Sequence, residues 1–384
     1  IGYVTAVHSG TGALELALVV LGLGCGDEVI VPGFMWISSI SAIIRARAIP
    51  VLVDSDQTLG VDPEDLKVKI SERTKVIMVV PMLGGSSKIG EIMEVVRNVN
   101  NSRKKDNLSK IFVLEDCAQS LGAHAFGIPG SSQTSLPEGY YKLGTFGDIG
   151  TFSLQLNKDI TAGEGGMVVT RDKELNDRVD ALHNAGYIKK EKNNINWYGD
   201  IPYGWGHGRR MSELQGAVAR VQLKKLDTIL DSIRKNHSFF EEFFKKQGIK
   251  LRKRAYQNNP GDTGYYLCFH LPENLDDNTA ISKGREIAKD LKDKGFNVWF
   301  LHDFEVHIYY NIEPLVKKFP MNDGSPWEDP KNSFHTQYKY DRGALPNLDH
   351  LLIRTIGLNM PSKMSDNIRD NMMNDLLVTL KNLY

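Results

Sequence analysis

Five short apolar runs, rich in β-branched residues, alternate with helix-like segments in the first half of the chain. They are VTAV, DEVIVPG, IPVLVD, KVIMVVPML and KIFVLED. Strands that are apolar throughout are covered on both faces, and strands joined by helices run parallel. The pattern therefore predicts an α/β fold in which helices sandwich a mostly parallel sheet. Ligands bind at the carboxyl ends of strands in such sheets, so the segments that follow the strands are the ones to inspect.

The second half of the chain has a different pattern. A long amphipathic helix is predicted to begin at Met211. Its apolar residues recur near helical spacing at Leu214, Val218, Val221 and Leu226. Beyond it, GYYLCFHL predicts a strand and ISKGREIAKDLKDKG a helix. We expect a large domain over residues 1–247 and a smaller α+β domain over residues 248–384. Because the chain opens inside a predicted strand, we also expect a segment to precede it in the full protein.

Composition excludes several classes of function. The 47 Lys and Arg residues balance the 47 Asp and Glu residues, so we expect no nucleic-acid or membrane-surface partner. No apolar run approaches the roughly 18–20 residues of a membrane-spanning helix. The histidines and cysteines show no metal-ligand spacing, so we expect no metal. Three scattered cysteines fit a reducing compartment and predict a cytoplasmic protein.

A glycine-rich turn, HSGTGALELAL, follows the first predicted strand and opens a helix. Backbone amides and a hydroxyl at a helix amino terminus make an anion site, so Thr11 and Gly12 are the expected phosphate contacts. The turn matches neither the P-loop nor the dinucleotide-binding glycine pattern. A plain strand-to-helix turn is the alternative.

Two further strand ends carry side chains that suit a flat, charged ligand. PGFMWISS places Trp36 just past the second strand, where its indole could stack on a ring or simply pack against protein. FVLEDCAQS ends the fifth strand at Asp116, whose buried carboxylate needs a cation or a protonated ring nitrogen. Gln119 could reach the same ligand, whereas Glu115 points to the opposite face and is structural. A salt bridge within the protein is the alternative for Asp116.

A single lysine, Lys158, lies in the polar stretch SLQLNKDITAGEGG. Burial lowers the pKa of a lysine and makes its amine a nucleophile, although most lysines are simply exposed. Together the segments describe the set that pyridoxal phosphate requires. That set is a phosphate anchor (Thr11 and Ser153), a ring stacker (Trp36), an acid for the pyridinium nitrogen (Asp116) and a Schiff-base lysine (Lys158).

The chain resembles the sugar aminotransferases of the DegT/StrS type, within the fold-type I pyridoxal phosphate enzymes. The resemblance covers about residues 4–230 in order and is looser in the smaller domain. It is carried by SGTGALELAL, GDEVIVPGFMWIS, VLEDCAQSLGA, GTFGDIGTFSLQLNKDITAGEGGMVVT and RRMSELQGAVARVQLKKLD. The lysine segment is the most specific of these.

The resemblance implies a role for each matching residue. Lys158 would be the Schiff-base lysine and would move the proton between cofactor and substrate carbons. Asp116 would pair with the pyridine nitrogen, Gln119 would lie near the ring hydroxyl, and Trp36 would stack on the ring. Gln155 would lie near the substrate. The phosphate contacts would be Thr11, Gly12 and Ser153.

One departure concerns the partner subunit. The resemblance implies a homodimer with sites at the interface, in which an Asn two residues before the Arg of the RMSEL-like segment reaches the partner's cofactor phosphate. Gly208 holds that position here. His207 and Arg209 are candidates to replace the contact or to meet the substrate. Two unmatched stretches, 128–141 and 322–348, are expected to be a loop and an irregular insertion that shape the substrate pocket.

The implied activity is a pyridoxal phosphate-dependent aminotransferase. It would take an amino group from an amino acid, expected to be glutamate, to give the pyridoxamine form of the cofactor. It would then pass the amino group to a keto- or aldehyde-sugar, expected to be nucleotide-linked, in amino-sugar biosynthesis. A free eight-carbon keto-sugar acid could be the acceptor instead, because FNVWFLHDFEVHIYYNIEPLVKK is loosely similar to enzymes that act on such acids. Two rival activities use the same scaffold: a sugar dehydratase, in which His replaces the lysine, and a non-catalytic sensor that binds the cofactor.

Overall fold

A computed structural model describes residues 2–132, 136–187, 203–256 and 261–381. Its strands are β1 (Tyr3–Val7), β2 (Glu28–Pro32), β3 (Ile49–Val53), β4 (Thr74–Val79), β5 (Phe112–Asp116), β6 (His124–Gly127), β7 (Gly139–Lys142), β8 (Ile149–Ser153), β9 (Gly166–Thr170), β10 (Tyr266–His270), β11 (Val298–Phe300) and β12 (Thr355–Asn359). Its α-helices are α1 (Gly10–Val20), α2 (Ile37–Arg45), α3 (Pro63–Lys69), α4 (Ile89–Lys105), α5 (Lys173–Leu182), α6 (Glu213–Leu223), α7 (Leu226–Lys246), α8 (Asp277–Asp293), α9 (Glu313–Val316), α10 (Pro346–Leu352) and α11 (Asp366–Leu380).

The main sheet has seven strands in the order β1-β9-β8-β5-β4-β2-β3. Strand β9 is antiparallel to both of its neighbours, and the other pairs are parallel. The predicted mostly parallel sheet is confirmed, and the five apolar runs form β1 to β5. Strands β2 and β3 are buried at every position, as their apolar sequences require. The carboxyl ends of β1, β5 and β8 therefore meet at one edge of the sheet.

Helices cover both faces of this sheet. Apolar residues of α1, α2 and α5 pack on one face, and those of α3 and α4 pack on the other. A third apolar cluster lies among β10 to β12, α7, α8 and α11. None of the described helices is both long enough and apolar enough to cross a membrane.

Where the two predicted domains divide stays a prediction. Helix α7 precedes residue 248, yet its side chains Ile233, Phe240 and Phe244 join the third cluster. Conversely, Phe304 and Tyr309 follow residue 248 but pack into the core of the main sheet. The chain therefore crosses between the two cores more than once.

The prediction of one long helix from Met211 is wrong. Helix α6 starts at Glu213 behind a capping box in which Ser212 and Gln215 exchange hydrogen bonds. The helix is then broken by a turn at Lys224 and Lys225. Helix α6 buries none of its side chains, whereas α7 buries eight, so the two helices lie in different surroundings.

The two unmatched stretches contain more regular structure than expected. Residues 139–142 form β7, which pairs with β6 as a hairpin, so only the intervening residues connect the strands. Within 322–348, residues 330–337 form a 3₁₀-helix, and Trp327 and Tyr340 are buried.

The insertion lies largely away from the edge where β1, β5 and β8 end. The Tyr338 hydroxyl donates to Glu28 at 2.6 Å, and that of Tyr340 to the Pro50 carbonyl at 2.7 Å. Glu28 and Pro50 lie at the amino ends of β2 and β3. Only the end of the insertion reaches the carboxyl edge, where the Leu348 amide donates to Asp54.

Candidate active site

Three chain segments meet closely at the carboxyl edge because glycines leave room for them. A Cβ built on Gly10 would lie 2.7 Å from the Cβ of Ser153, at the end of β8. A Cβ built on Gly166 would lie 2.4 Å from the Ser9 carbonyl oxygen. Any larger side chain at these two positions would push the start of α1 away from β8 and β9. The first turn of α1 therefore lies directly against Ser153.

The amino termini of α1 and α2 meet at this place. Ser9 caps α1 by accepting the Gly12 amide proton at 3.0 Å. The Thr11 and Ser38 hydroxyls are hydrogen-bonded to each other at 2.8 Å. Neither helix has an acidic residue in its own first turn, so no carboxylate of the helix itself occupies its positive end. Amides, hydroxyls and helix dipoles together suit a phosphate group.

Asp116 ends β5 and is 3% exposed. Its Oδ2 accepts the Ser39 hydroxyl proton at 2.8 Å, and its Oδ1 accepts the Ala118 amide at a longer 3.3 Å. Burial raises the pKa of Asp116, and those hydrogen bonds together with the charge of Lys158 oppose the rise. Among the described residues no cation lies within 4 Å of the carboxylate, so the internal salt bridge is not formed there.

The carboxylate of the preceding residue, Glu115, has a structural role, as expected. Glu115 is fully buried, and its oxygens accept the amide protons of Gly144, Phe146 and Gly147 at 2.7–2.8 Å. These three hydrogen bonds fix the loop that leads into β8. Glu115 is therefore a structural residue on the opposite face from Asp116.

Lys158 lies in the turn between β8 and β9, where its amide donates to the Gln155 carbonyl at 3.1 Å. The side chain is partly buried, and burial lowers the pKa of its amine. The carboxylates of Asp116 and Asp159 are near enough to oppose that shift. Lys158 is therefore not an ordinary surface lysine, and it lies near enough to Asp116 for each charge to affect the pKa of the other. Gln155 stays in the turn, where its Oε1 accepts the Asn157 amide at 2.9 Å.

Trp36 stands at the start of α2 and is 42% exposed. Its indole contacts the imidazole of His307, with ring centroids 4.7 Å apart, and His307 in turn stacks on Phe304 at 4.0 Å. Burial lowers the pKa of His307 to about 4, and the charge of Lys158 adds to this. The imidazole is therefore neutral at pH 7. The indole is both held in place and accessible, as a ring stacker must be.

The remaining predicted residues are held in other ways. Gln119 Oε1 accepts the Leu83 amide at 2.9 Å and ties the loop after β4 to the site. Arg209 forms an ion pair with Glu15 of α1 at 2.5 Å. His207 and Gly208 are exposed. The structure thus gathers Thr11, Gly12, Trp36, Asp116, Ser153 and Lys158 at one edge, and no described contact joins His207 or Arg209 to them.

Ser39 and His307 were not predicted from the sequence. Ser39 lies in the WISS segment beside Trp36, so its nearness to a strand end was a usable signal. His307 comes from a 3₁₀ turn of a distant segment, and no local pattern pointed to it. Within the described ranges, no three His, Cys, Asp or Glu side chains cluster to hold a metal ion.

Comparison with known proteins adds independent findings. Residues 1–319 match the model of the DegT/DnrJ/EryC1/StrS aminotransferase family. The chain is 39% identical over 229 residues to a GDP-perosamine synthase of Escherichia coli O157:H7, a match that covers 59% of the chain and 55% of the relative. It is 32% identical over 280 residues to an L-glutamine:2-deoxy-scyllo-inosose aminotransferase of Streptomyces kanamyceticus, covering 71% and 59%. The chain thus spans less than two thirds of the length of these curated relatives.

The fold is also similar to that of a solved structure. Spr1654 of Streptococcus pneumoniae, assigned as a sugar aminotransferase and solved in its PLP form, superposes with a TM-score of 0.74. The match covers 99% of this chain and 88% of that chain at 21% sequence identity. The similarity confirms the fold-type I architecture that the sequence predicted.

Proposed function

Because the chain belongs to the DegT/DnrJ/EryC1/StrS aminotransferase family, we propose that it is a pyridoxal phosphate-dependent aminotransferase. It moves an amino group from an amino acid to a keto- or aldehyde-sugar in amino-sugar biosynthesis. The observation that carries the proposal is the pair formed by Asp116 and Lys158. A buried carboxylate ends β5, a partly buried lysine follows β8 at the same edge of the sheet, and each charge opposes the shift in the other's pKa.

The residues present fit this cofactor. The amino termini of α1 and α2, with Thr11, Gly12 and Ser153, suit its phosphate group. Asp116 makes one short hydrogen bond and one long one, so its carboxylate can accept a further proton donor, the pyridinium N–H. Trp36 offers an accessible indole to the ring. When bound, the cofactor supplies an electron sink that stabilises negative charge at the substrate carbon.

The chain's own residues control the position of the proton. Burial favours the neutral amine of Lys158, which lets its Nζ bind the cofactor, accept a proton and return it. Ser39 holds the Asp116 carboxylate in place through its hydroxyl. His307 is neutral and fixed against Trp36, so it adds no positive charge that would repel the pyridinium.

The family and the relatives' names support the substrate class. One relative is named for a GDP-linked sugar, so we propose a nucleotide-linked sugar as acceptor, with a free eight-carbon keto-sugar acid as the competing one. Glutamate is the proposed amino donor, and L-glutamine, which the second relative's name gives, is the competing donor. A sugar dehydratase is disfavoured because Lys158 is present where that branch carries His. We also propose a cytoplasmic location and a homodimer with sites at the interface.

The experiment that tests the activity uses Lys158→Ala. The purified protein with pyridoxal phosphate should absorb visible light and lose that band when glutamate is added. Lys158→Ala should lose both the band and amino transfer to a set of keto-sugars, measured as 2-oxoglutarate release. Lys173→Ala, which removes an exposed lysine paired with Asp177, is the matched control and should behave as wild type. Transfer at the wild-type rate by Lys158→Ala would refute the assignment. A stable band that neither glutamate nor L-glutamine changes would favour the sensor.

A further inference from the structure

The loop that follows β4 has an unusual backbone conformation. Leu83 lies at φ 57° and ψ 31°, in the left-handed region that residues with a side chain seldom adopt. Its side chain is buried, and Gly84 follows it with a φ of 71°. A conformation of this kind persists where the surrounding structure imposes it. The loop is therefore held by residues outside it.

Two residues just before β10 hold this loop. Asp262 Oδ1 accepts the amide proton of Ser86 at 2.8 Å and its hydroxyl proton at 2.7 Å. The Thr263 amide donates to the Gly84 carbonyl at 2.9 Å. The second oxygen of Asp262, Oδ2, accepts from Arg252 Nη2 at 2.7 Å in a buried ion pair. Because both of its oxygens are bonded, the Asp262 carboxylate is fixed, and it fixes the loop in turn.

The same segment also contacts the turn between β8 and β9. The Tyr265 hydroxyl donates to the Asn157 carbonyl in that turn at 3.4 Å. Behind the segment, Arg234 of α7 donates from Nε to the Asp262 carbonyl at 3.0 Å. Residues 262–265 thus join the loop after β4 to the turn after β8, and both lie at the carboxyl edge of the main sheet.

The orientation of the Gln119 side-chain amide depends on this loop. Gln119 Oε1 accepts the Leu83 amide proton at 2.9 Å. A backbone N–H can only donate, so the oxygen of the side-chain amide must face Leu83. A rotation that exchanged the oxygen and the nitrogen would set one donor against another. Nε2 therefore points away from Leu83, and it makes no hydrogen bond to any of the residues that the structure describes. It is a free donor on a residue that lies three positions after Asp116.

We propose that Asp262 is a positioning residue for Gln119. Asp262 holds the loop after β4, the loop holds the Leu83 amide against Oε1, and Nε2 is thereby kept as a donor to the ring hydroxyl oxygen of pyridoxal phosphate. A donor at that oxygen stabilises its ionised form, whereas a rotated Gln119 would present a second acceptor there. The inference rests on the proposed function, because the place of Gln119 near the ring hydroxyl is what the family resemblance implies.

The first test reads the Leu83 amide in the cofactor-free protein. Its hydrogen exchange is followed by NMR after ¹⁵N-leucine labelling, and its signal is assigned by its absence in Leu83→Met. Gln119→Met removes the acceptor and should speed the exchange roughly three- to tenfold, the range of one hydrogen bond. Asp262→Ala releases the loop and should speed the exchange at least as much. Exchange at the wild-type rate in Asp262→Ala overturns the inference.

Asp148→Ala is the matched control. Asp148 lies at the amino end of β8 and has the same kinds of partner as Asp262. It binds Lys110 at 3.0 Å, the Ser131 hydroxyl at 2.7 Å and the Val113 amide at 2.8 Å. Its loss should lower the Tm and leave the hydrogen exchange measured in the first test unchanged.

A second version of the variant guards against loss of the fold. Asp262→Ala leaves the Arg252 guanidinium buried without a counter-charge, which is strongly destabilising. The double variant Arg252→Met with Asp262→Ala removes both charges and still lacks the acceptor for Ser86. It should speed the exchange of the Leu83 amide as Asp262→Ala does, and a wild-type rate in this variant also overturns the inference.

The second test reads the visible band of the cofactor-loaded protein. Without the Nε2 donor the ring oxygen holds a proton more firmly, so the pH at which the band fades should rise by roughly 0.5 to 1 unit. Gln119→Met and Asp262→Ala should each give this shift. The variant with both substitutions should shift the midpoint no further than Gln119→Met alone, because the two residues act on one contact. Asp148→Ala should not shift it.

The outcomes separate the inference from the function on which it rests. A purely structural role of Asp262 would lower the Tm and leave the midpoint of the band in place, which overturns the inference. Shifts that add in the variant with both substitutions would overturn it as well. In both cases the wild-type band still forms and the proposed function stands. A wild-type protein that forms no band refutes the proposed function and the inference together.

Discussion

Asp116 and Glu115 are neighbours in β5, so their side chains lie on opposite faces of the sheet. Asp116→Asn keeps an acceptor for Ser39 and removes the charge that would hold a pyridinium proton. Because burial already disfavours that charge, we expect the Tm to be unchanged or higher. Amino transfer should fall by about 100-fold or more, the usual effect of removing one group that acts in the transition state.

The adjacent carboxylate supplies the matched control. Glu115→Gln replaces one of the acceptor oxygens that bind three backbone amides with a donor. It should lower the Tm and reduce kcat much less than Asp116→Asn does. Thermal melts and transfer rates of the two variants, measured side by side, check both expectations. Near wild-type transfer by Asp116→Asn would contradict its assigned role.

The sequence identifies Asp116 and Lys158 because each follows a predicted strand and carries a charge that would be costly to bury there without a partner. It does not identify His307, which reaches Trp36 from a segment some 270 residues further on. That contact exists because Phe304 and Tyr309 pack into the core of the main sheet. Long-range packing of this kind leaves no local periodicity. Asp159 is a similar case. It directly follows Lys158 in the sequence, but only the structure shows that its Oδ1 is buried and has no hydrogen-bond partner among the described residues.

The contact between α1 and β8 is an element-scale feature on which the phosphate site depends. Gly10→Ala would place a Cβ 2.7 Å from the Cβ of Ser153 and 3.3 Å from its Cα. We expect overpacking to cost roughly 1–3 kcal/mol and to separate Thr11 from Ser153. Weaker binding of pyridoxal phosphate, measured by titration of the visible band, should accompany a lower Tm.

Another glycine gives the control for that substitution. Gly216 lies within α6, and a Cβ there would meet no atom within 4 Å. Gly216→Ala should raise helix propensity and leave cofactor binding as in the wild type. If Gly10→Ala also bound the cofactor with wild-type affinity, the phosphate site would have to lie elsewhere.

At the same scale, the sequence predicts strands better than the limits of helices. Runs that are apolar throughout can only be buried strands or buried helices, and their short length decides for strands. The break between α6 and α7 leaves no such mark, because both sides keep helical spacing. It follows from packing: Leu226, Leu230 and Ile233 must face buried clusters, whereas α6 buries nothing.

For the whole molecule, the exposed face of α6 needs an explanation. Leu214, Ala217, Val218 and Val221 share one face by their spacing of three and four residues, and all four are exposed. Leu214 is 83% exposed and Val221 53%. An apolar helix stripe of this kind normally packs against something, and in the proposed homodimer it packs against the second copy of the chain. The same helix follows the segment that holds Gly208, the position at which the family resemblance implies an Asn that reaches the partner's site.

The dimer is tested by charging that stripe. A double variant, Val218→Glu with Val221→Glu, should shift sedimentation from dimer to monomer, because two carboxylates per chain would be buried without partners. Amino transfer should fall with it, since the sites are proposed to lie at the interface. Val68→Glu, at a valine 80% exposed on α3, should change neither property. A double variant that remains a dimer would place the interface on another surface. A monomer with full activity would show that each chain completes its own site. The absence of the usual Asn at Gly208 would agree with that result.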